Sequence, residues 1–148
     1  MKIDDHLNNI GKKSLIAANQ VKSFSTKEKN NLLVKICEKI SLDEEKIIEA
    51  NKKDISIASG SIDSSMLDRL TLSSDRIKSI FKSIKDIVQL EDPINKVINN
   101  NKRPNGMLVE RVSVPLGVIG IIYESRPNVT IDASVLCLKA GNSVILRG

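Results

Sequence analysis

VIGIIYESRPNVTIDASVLCLKAGNSVILRG, residues 118–148, holds the most telling pattern in the chain. Its first six residues, Val118 to Tyr123, are apolar apart from a glycine, the pattern of a parallel strand covered on both faces. A turn from Glu124 to Pro127 leads into a helix from about Val129 that is expected to bury Ala133, Leu136, Cys137 and Ala140. Gly141 stands where a helix C-terminus wants a residue of positive φ. Ser143 to Leu146 then opens a second buried strand. Strand, helix and strand within roughly thirty residues make a βαβ unit with a right-handed crossover. The back of the chain is therefore read as the start of a Rossmann-like parallel sheet. Two parallel strands do not complete such a sheet, and Gly148 follows directly on a strand, so the chain is expected to be a piece of something longer.

Outward from this unit the patterns change. Pro115 and Gly117 interrupt the chain before it, and LVERVSV (108–114) alternates as a strand with one wet face does. NNNKRPNGM (99–107) is turn chemistry centred on Pro104-Asn105-Gly106. Everything earlier is helical. Ile77, Ile80, Phe81, Ile84, Ile87 and Val88 form a stripe at helical spacing after a cap at Ser73 or Ser74. Ser25 and Glu28 make a capping box for a helix burying Leu32, Leu33, Ile36 and Ile40. Ser41 to Glu44 repeats the signal before Ile47, Ile48 and Ala50. Ile3, Leu7, Ile10, Ala17 and Val21 give a first helix with one apolar face. A polar loop, SGSIDSS (59–65), precedes Met66, Leu67 and Leu70.

Composition narrows the function classes. Of the 148 residues, 41% are hydrophobic, which suits a globular protein, and no apolar run spans a bilayer. The N-terminus carries Asp4 and Asp5 and has no signal-peptide core, so the expected location is the cytoplasm. The net charge of +5 comes from lysines interleaved with acids. With one Tyr, two Phe and no Trp there is no stacking surface, and no nucleic-acid or membrane partner is expected. Cys37 and Cys137 lie among apolar residues without a CxxC, as buried inert thiols rather than metal ligands, and His6 reads as a surface residue.

The chemistry concentrates in Glu124-Ser125-Arg126-Pro127-Asn128. This turn joins the carboxyl end of a parallel strand to the start of a helix, where open α/β sheets bind ligands and free N–H groups favour anions. Asn128 falls at or near the N-cap, where capping is the commoner role for Asn. Arg126 is either a surface residue or a cation projecting beside an anion-friendly site. Gly117 and Gly120 do not make the usual dinucleotide fingerprint.

The run from Val114 to Gly148, together with KRPNGM (102–107), MLDRLTL (66–72) and IIEANKKDI (47–55), strongly resembles the γ-glutamyl phosphate reductase family of the aldehyde dehydrogenase superfamily. YESRPN (123–128) followed by KAGNSVILRG (139–148) is specific to that family, and the resemblance covers nearly the whole chain from about Gly11. It implies NADPH-dependent reduction of γ-glutamyl 5-phosphate to glutamate 5-semialdehyde and phosphate in proline biosynthesis, that is, a glutamate-5-semialdehyde dehydrogenase. It implies Asn128 as the oxyanion donor and Arg147 and Gly148 at the cofactor, NADP; Arg126, beside that donor, is expected to contact the substrate's carboxylate or phosphate. Residues 1–98 would be the helical part of the cofactor-binding domain, 99–116 a turn and strand toward the oligomerisation region, and 117–148 its first βαβ unit. The catalytic domain with the nucleophilic cysteine would lie beyond residue 148. The resemblance implies a homo-oligomer at full length, and a fragment that is inactive and exposes a strand edge. Two alternatives stay open: another enzyme of the superfamily with a different acyl substrate, and a truncated, non-catalytic binding module.

Overall fold

Local signals set most element boundaries. The computed structural model describes residues 3–124 and 126–148, so Ser125 of the expected turn lies outside the described residues. Helices α1 (Ile3–Val21), α2 (Thr26–Leu42), α3 (Glu44–Ala58), α4 (Ser64–Leu70) and α5 (Ser74–Gln89) precede strands β1 (Val97–Lys102), β2 (Leu108–Val112) and β3 (Val118–Ile122). Helix α6 (Pro127–Lys139) and strand β4 (Ser143–Arg147) follow. The expected capping box opens α2: Ser25 Oγ accepts from the Glu28 N–H while the Glu28 carboxylate accepts from the Ser25 N–H. Ser73 caps α5 with a single bond, its Oγ accepting from the Arg76 N–H. The expected cap at Ser41 does not form. Helix α2 continues through Leu42, and Asp43 joins it to α3 without a side-chain cap, its carboxylate instead taken by Lys39 and Lys46.

The core is a helical one. Leu33 of α2, Ile77 and Ile84 of α5 and Val135 of α6 are fully buried, with Ile36, Cys37, Ile40, Phe81 and Leu138 packed around them. The α5 stripe read from the sequence faces this cluster with Ile77, Ile80, Ile84 and Ile87. A polar knot sits beside it. Lys29 of α2, nearly buried, meets Asp92 at 2.5 Å, and Thr26 donates to the same carboxylate at 2.7 Å. The buried Lys139 donates to Asn30 and to the Val88 carbonyl at 2.7 and 3.1 Å. Both lysines sit on helices that face the core, and each head group has its partners, which is the condition for burying a charge.

Strands β3 and β4 pair in parallel, Val118 opposite Ser143 through Ile122 opposite Arg147, closing the expected βαβ unit. Its crossover ends at Gly141, whose φ is +71° and where an added Cβ would lie 2.9 Å from the Pro115 ring. Asn142 Oδ1 accepts from the Gly117 N–H, and Ser143 Oγ donates to the Ser14 carbonyl, which ties α1 to the sheet.

Four expectations about covering differ. Strand β3 is covered on one face only, with Val118, Gly120 and Ile122 open to solvent, because the helices that reach the sheet, α1 and α6, pack mainly on β4. Leu136 is exposed on α6, where Val135, Cys137 and Lys139 take the buried positions. Ile3 and Leu7 leave the front of the expected α1 apolar face uncovered as well, while Val21 at its end is buried. The polar stretch read as a turn is largely strand: β1 and β2 form an antiparallel hairpin with Lys102 opposite Leu108. Its turn is confined to Arg103–Met107, with Gly106 at φ +86°. Every residue of both hairpin strands is exposed, so the LVERVSV alternation does not correspond to a buried face here.

Candidate functional site

The site is built from the turn upward. Pro127 occupies the first position of α6, where its fixed φ suits the helix and its missing N–H is no loss. The N-cap is therefore Arg126, in extended conformation and without a side-chain cap bond, and Asn128 is one residue inside the helix. Capping is excluded as the role of Asn128. Its amide Nδ2 instead donates to Asp132 Oδ2 at 3.4 Å, one turn on, while Asp132 Oδ1 accepts from Ser83 of α5 at 3.3 Å. The start of α6 is thus tied to α5 through Asp132.

The facing wall comes from MLDRLTL. Asn51, buried on α3, accepts from the Leu72 N–H at 2.6 Å and donates to the Leu70 carbonyl at 2.8 Å, fixing the link between α4 and α5. Arg76 grips the Asp68 carboxylate with one nitrogen at 2.8 and 2.9 Å and donates to the Thr71 carbonyl at 2.6 Å. Between this wall and the start of α6 lies an open cavity of about 420 Å³. Arg69, Ser79 and Ser83 line one side of it, and Arg126, Pro127 and Asn128 the other. A smaller hollow of about 100 Å³ adjoins, lined by Met66, Leu70 and Glu124 and by Arg69 and Arg126 again.

Of the expected site residues, Arg126 and Asn128 are thus brought together. Arg147 and Gly148 lie apart, exposed at the carboxyl end of β4, where the Arg147 carbonyl accepts from the Tyr123 N–H and Gly148 abuts the Tyr123 ring. Arg69, Ser83 and Asp132 were not singled out from the sequence. No spacing rule links residue 69 to residue 126; only the packing of α5 against α6, with α4 held on α3, does. A hollow of about 570 Å³ between α2 and α5, around Cys37 and Phe81, receives nothing from the turn. Burial pushes the thiols of Cys37 and Cys137 above their ordinary range, so neither is an activated nucleophile. Among the described residues no cluster of His, Cys, Asp or Glu could hold a metal, and no helix is long and apolar enough to cross a membrane.

These features define a class: an α/β protein whose parallel βαβ unit opens a polar cleft at the carboxyl end of its first strand, with a helical layer as the facing wall. No family model matches the chain. It is 45% identical over 145 residues to γ-glutamyl phosphate reductase of Carboxydothermus hydrogenoformans, covering 97% of this chain and 35% of that protein. It is 51% identical over 140 residues to the reductase of the same name from Clostridium perfringens, covering 93% and 34%. The crystal structure of γ-glutamyl phosphate reductase from Thermotoga maritima superimposes with a TM-score of 0.90 at 41% identity, over 93% of this chain and 33% of that one. The enzyme of that name from Saccharomyces cerevisiae does so at 0.89 and 34% identity, over 95% and 36%. The chain is thus similar, over nearly all its length, to proteins named γ-glutamyl phosphate reductase, and it spans about a third of the length of the relatives it matches.

Proposed function

We propose that this chain supplies the substrate cleft of an NADPH-dependent reductase that converts γ-glutamyl 5-phosphate to glutamate 5-semialdehyde and phosphate, a cytoplasmic step of proline biosynthesis. The supporting observation is that Arg126 and Asn128 line one cavity at the end of β3. Attack on an acyl phosphate places negative charge on the carbonyl oxygen, and a donor held in place beforehand lowers that barrier. Asn128 has two amide hydrogens. Asp132 engages one of them and orients the side chain, which leaves the other for the oxyanion. Arg126 offers a guanidinium fork to the carboxylate or phosphate of the substrate.

Arg147 fits a cofactor bearing a ribose 2′-phosphate: it is exposed at the end of a parallel strand and, among the described residues, has no acidic partner. With Gly148 it would hold NADPH, which when bound supplies the hydride. The nucleophile is neither cysteine of this chain. Cys137 is nine residues along α6 from Asn128, about 13 Å at ~1.5 Å per residue, and buried. The catalytic cysteine then belongs to the remainder of a full-length enzyme, in which residues 1–98 and 117–148 form part of the cofactor-binding domain. The hairpin of β1 and β2, which takes up most of the 99–116 segment, would extend toward subunit contacts of a homo-oligomer.

The native gene product should oxidise NADPH with γ-glutamyl phosphate. In the reverse direction it should prefer glutamate semialdehyde to simple aldehydes, and the 148-residue chain alone should be inactive. Arg126→Ala should raise KM for the acyl phosphate. NADPH oxidation by the 148-residue chain, or an unchanged KM and kcat in Arg126→Ala, would contradict the assignment.

A further inference from the structure

Five charged side chains line the cavity at the start of α6, and they are not equivalent. Asp68 and Arg76 satisfy each other, and Arg76 also holds the Thr71 carbonyl. Asp132 is engaged by Ser83 and Asn128. Arg69 and Arg126 remain. Among the described residues neither has an acid within ion-pair distance, and these two alone line both this cavity and the hollow beside it. Glu124, the acid of the smaller hollow, forms no ion pair with either of them.

An arginine in the last turn of a helix can simply bond that helix's free carbonyls. Arg69 is not needed for this. The Leu67 and Asp68 carbonyls accept from the Thr71 N–H, and the Leu70 carbonyl accepts from Asn51. The backbone on either side of Arg69 is fixed by those bonds, so its guanidinium projects from a rigid base, as a recognition group requires. Two like charges from different elements on one cavity repel each other until an oxyanion lies between them.

We infer that Arg69 is a second guanidinium of the substrate site, which with Arg126 holds a carboxylate or phosphate group of an anionic amino-acid ligand. The inference rests on reading this cavity as the acyl-phosphate site. Arg69 contributes binding and orientation rather than chemistry. Its fork geometry makes lysine an incomplete substitute.

The test is titration of the native gene product with L-glutamate and, separately, with inorganic phosphate, following binding by calorimetry in Arg69→Gln, Arg69→Lys and the parent protein. Saturable binding of either anion is expected, weakened roughly tenfold to a hundredfold in Arg69→Gln and less in Arg69→Lys, with an unchanged unfolding midpoint. Whichever anion responds identifies the group that the two arginines hold. Equal affinity in Arg69→Gln, or no saturable binding of either anion by the parent, would overturn the inference. A protein that binds in this Arg69-dependent way but never turns over acyl phosphate would keep the anion site and remove the reductase reading. An active reductase whose KM is untouched by Arg69→Gln would do the opposite.

Discussion

The cluster of α2, α5 and α6 and the hairpin of β1 and β2 are made from the same ordinary residues on opposite terms. In the helical cluster, Leu33, Ile77, Ile84 and Val135 are sealed from water, and even the lysines beside them are buried and partnered. In the hairpin every residue is exposed, and its base is tied to the chain through Ser113, Pro93, Asn95 and Lys96. The open face of β3 belongs with the hairpin, since Ile122 is 86% exposed. One region therefore carries the stability and positions the cleft, while the other keeps a shape that contributes little to its own burial. The candidate site lies on the stable side of that divide.

Substitutions should separate the two regions by size of effect. The largest is expected at the polar knot. Asp92→Asn leaves the nearly buried Lys29 unpaired and should cost about 3–5 kcal/mol in denaturant unfolding. Burial alone would raise the Asp92 pKa. Bonds from Lys29, the Ile94 N–H and Thr26, with the Lys29 charge, outweigh it and hold the carboxyl below its ordinary range. A depressed folded pKa gives stability that is present above the unfolded value, near ~3.9, and lost as pH falls through the folded one. The acid-side decline in stability should therefore be shallower in Asp92→Asn than in the parent; an identical acid limb would show that the pair is not formed.

Next comes the core itself. Ile84→Ala should destabilise by about 2–5 kcal/mol, with loss of the same cooperative transition whether followed by helix signal or by hydrogen exchange. Gly141→Ala follows, at about 1–2 kcal/mol for the left-handed backbone alone, with the Pro115 contact adding to it. The smallest effect is expected on the open sheet face, where Ile122→Thr should stay within about 0.5 kcal/mol. A loss well above that would mean the face is covered in solution and would break the comparison.

The same divide explains what could be read from the sequence. The α5 stripe, the Ser25–Glu28 box and the Gly141 cap are local patterns, and each formed as expected. The βαβ unit was legible for the same reason. What failed depended on partners: apolar Val118 and Ile122 predict a covered strand, but only packing elements can cover it. The asparagines of β1 carry turn propensity, and strand pairing with Arg111, Glu110 and Val109 overrides it. At the site, the motif placed Arg126 and Asn128 beside each other. The opposite wall, with Arg69 and Ser83, comes from distant sequence and is brought there only by the packing of α5 against α6 and of α4 on α3. Pro127 moved the cap to Arg126, which freed Asn128 for the bond to Asp132.

Asn128 is the residue on which the reductase chemistry turns, and steady-state kinetics of Asn128→Ala in the native gene product would test its role. An oxyanion donor predicts a fall in kcat of roughly 10²–10³-fold, with little change in KM for γ-glutamyl phosphate and a normal unfolding midpoint. A kcat within a fewfold of the parent would show that the cavity beside Arg126 is not where the acyl group reacts.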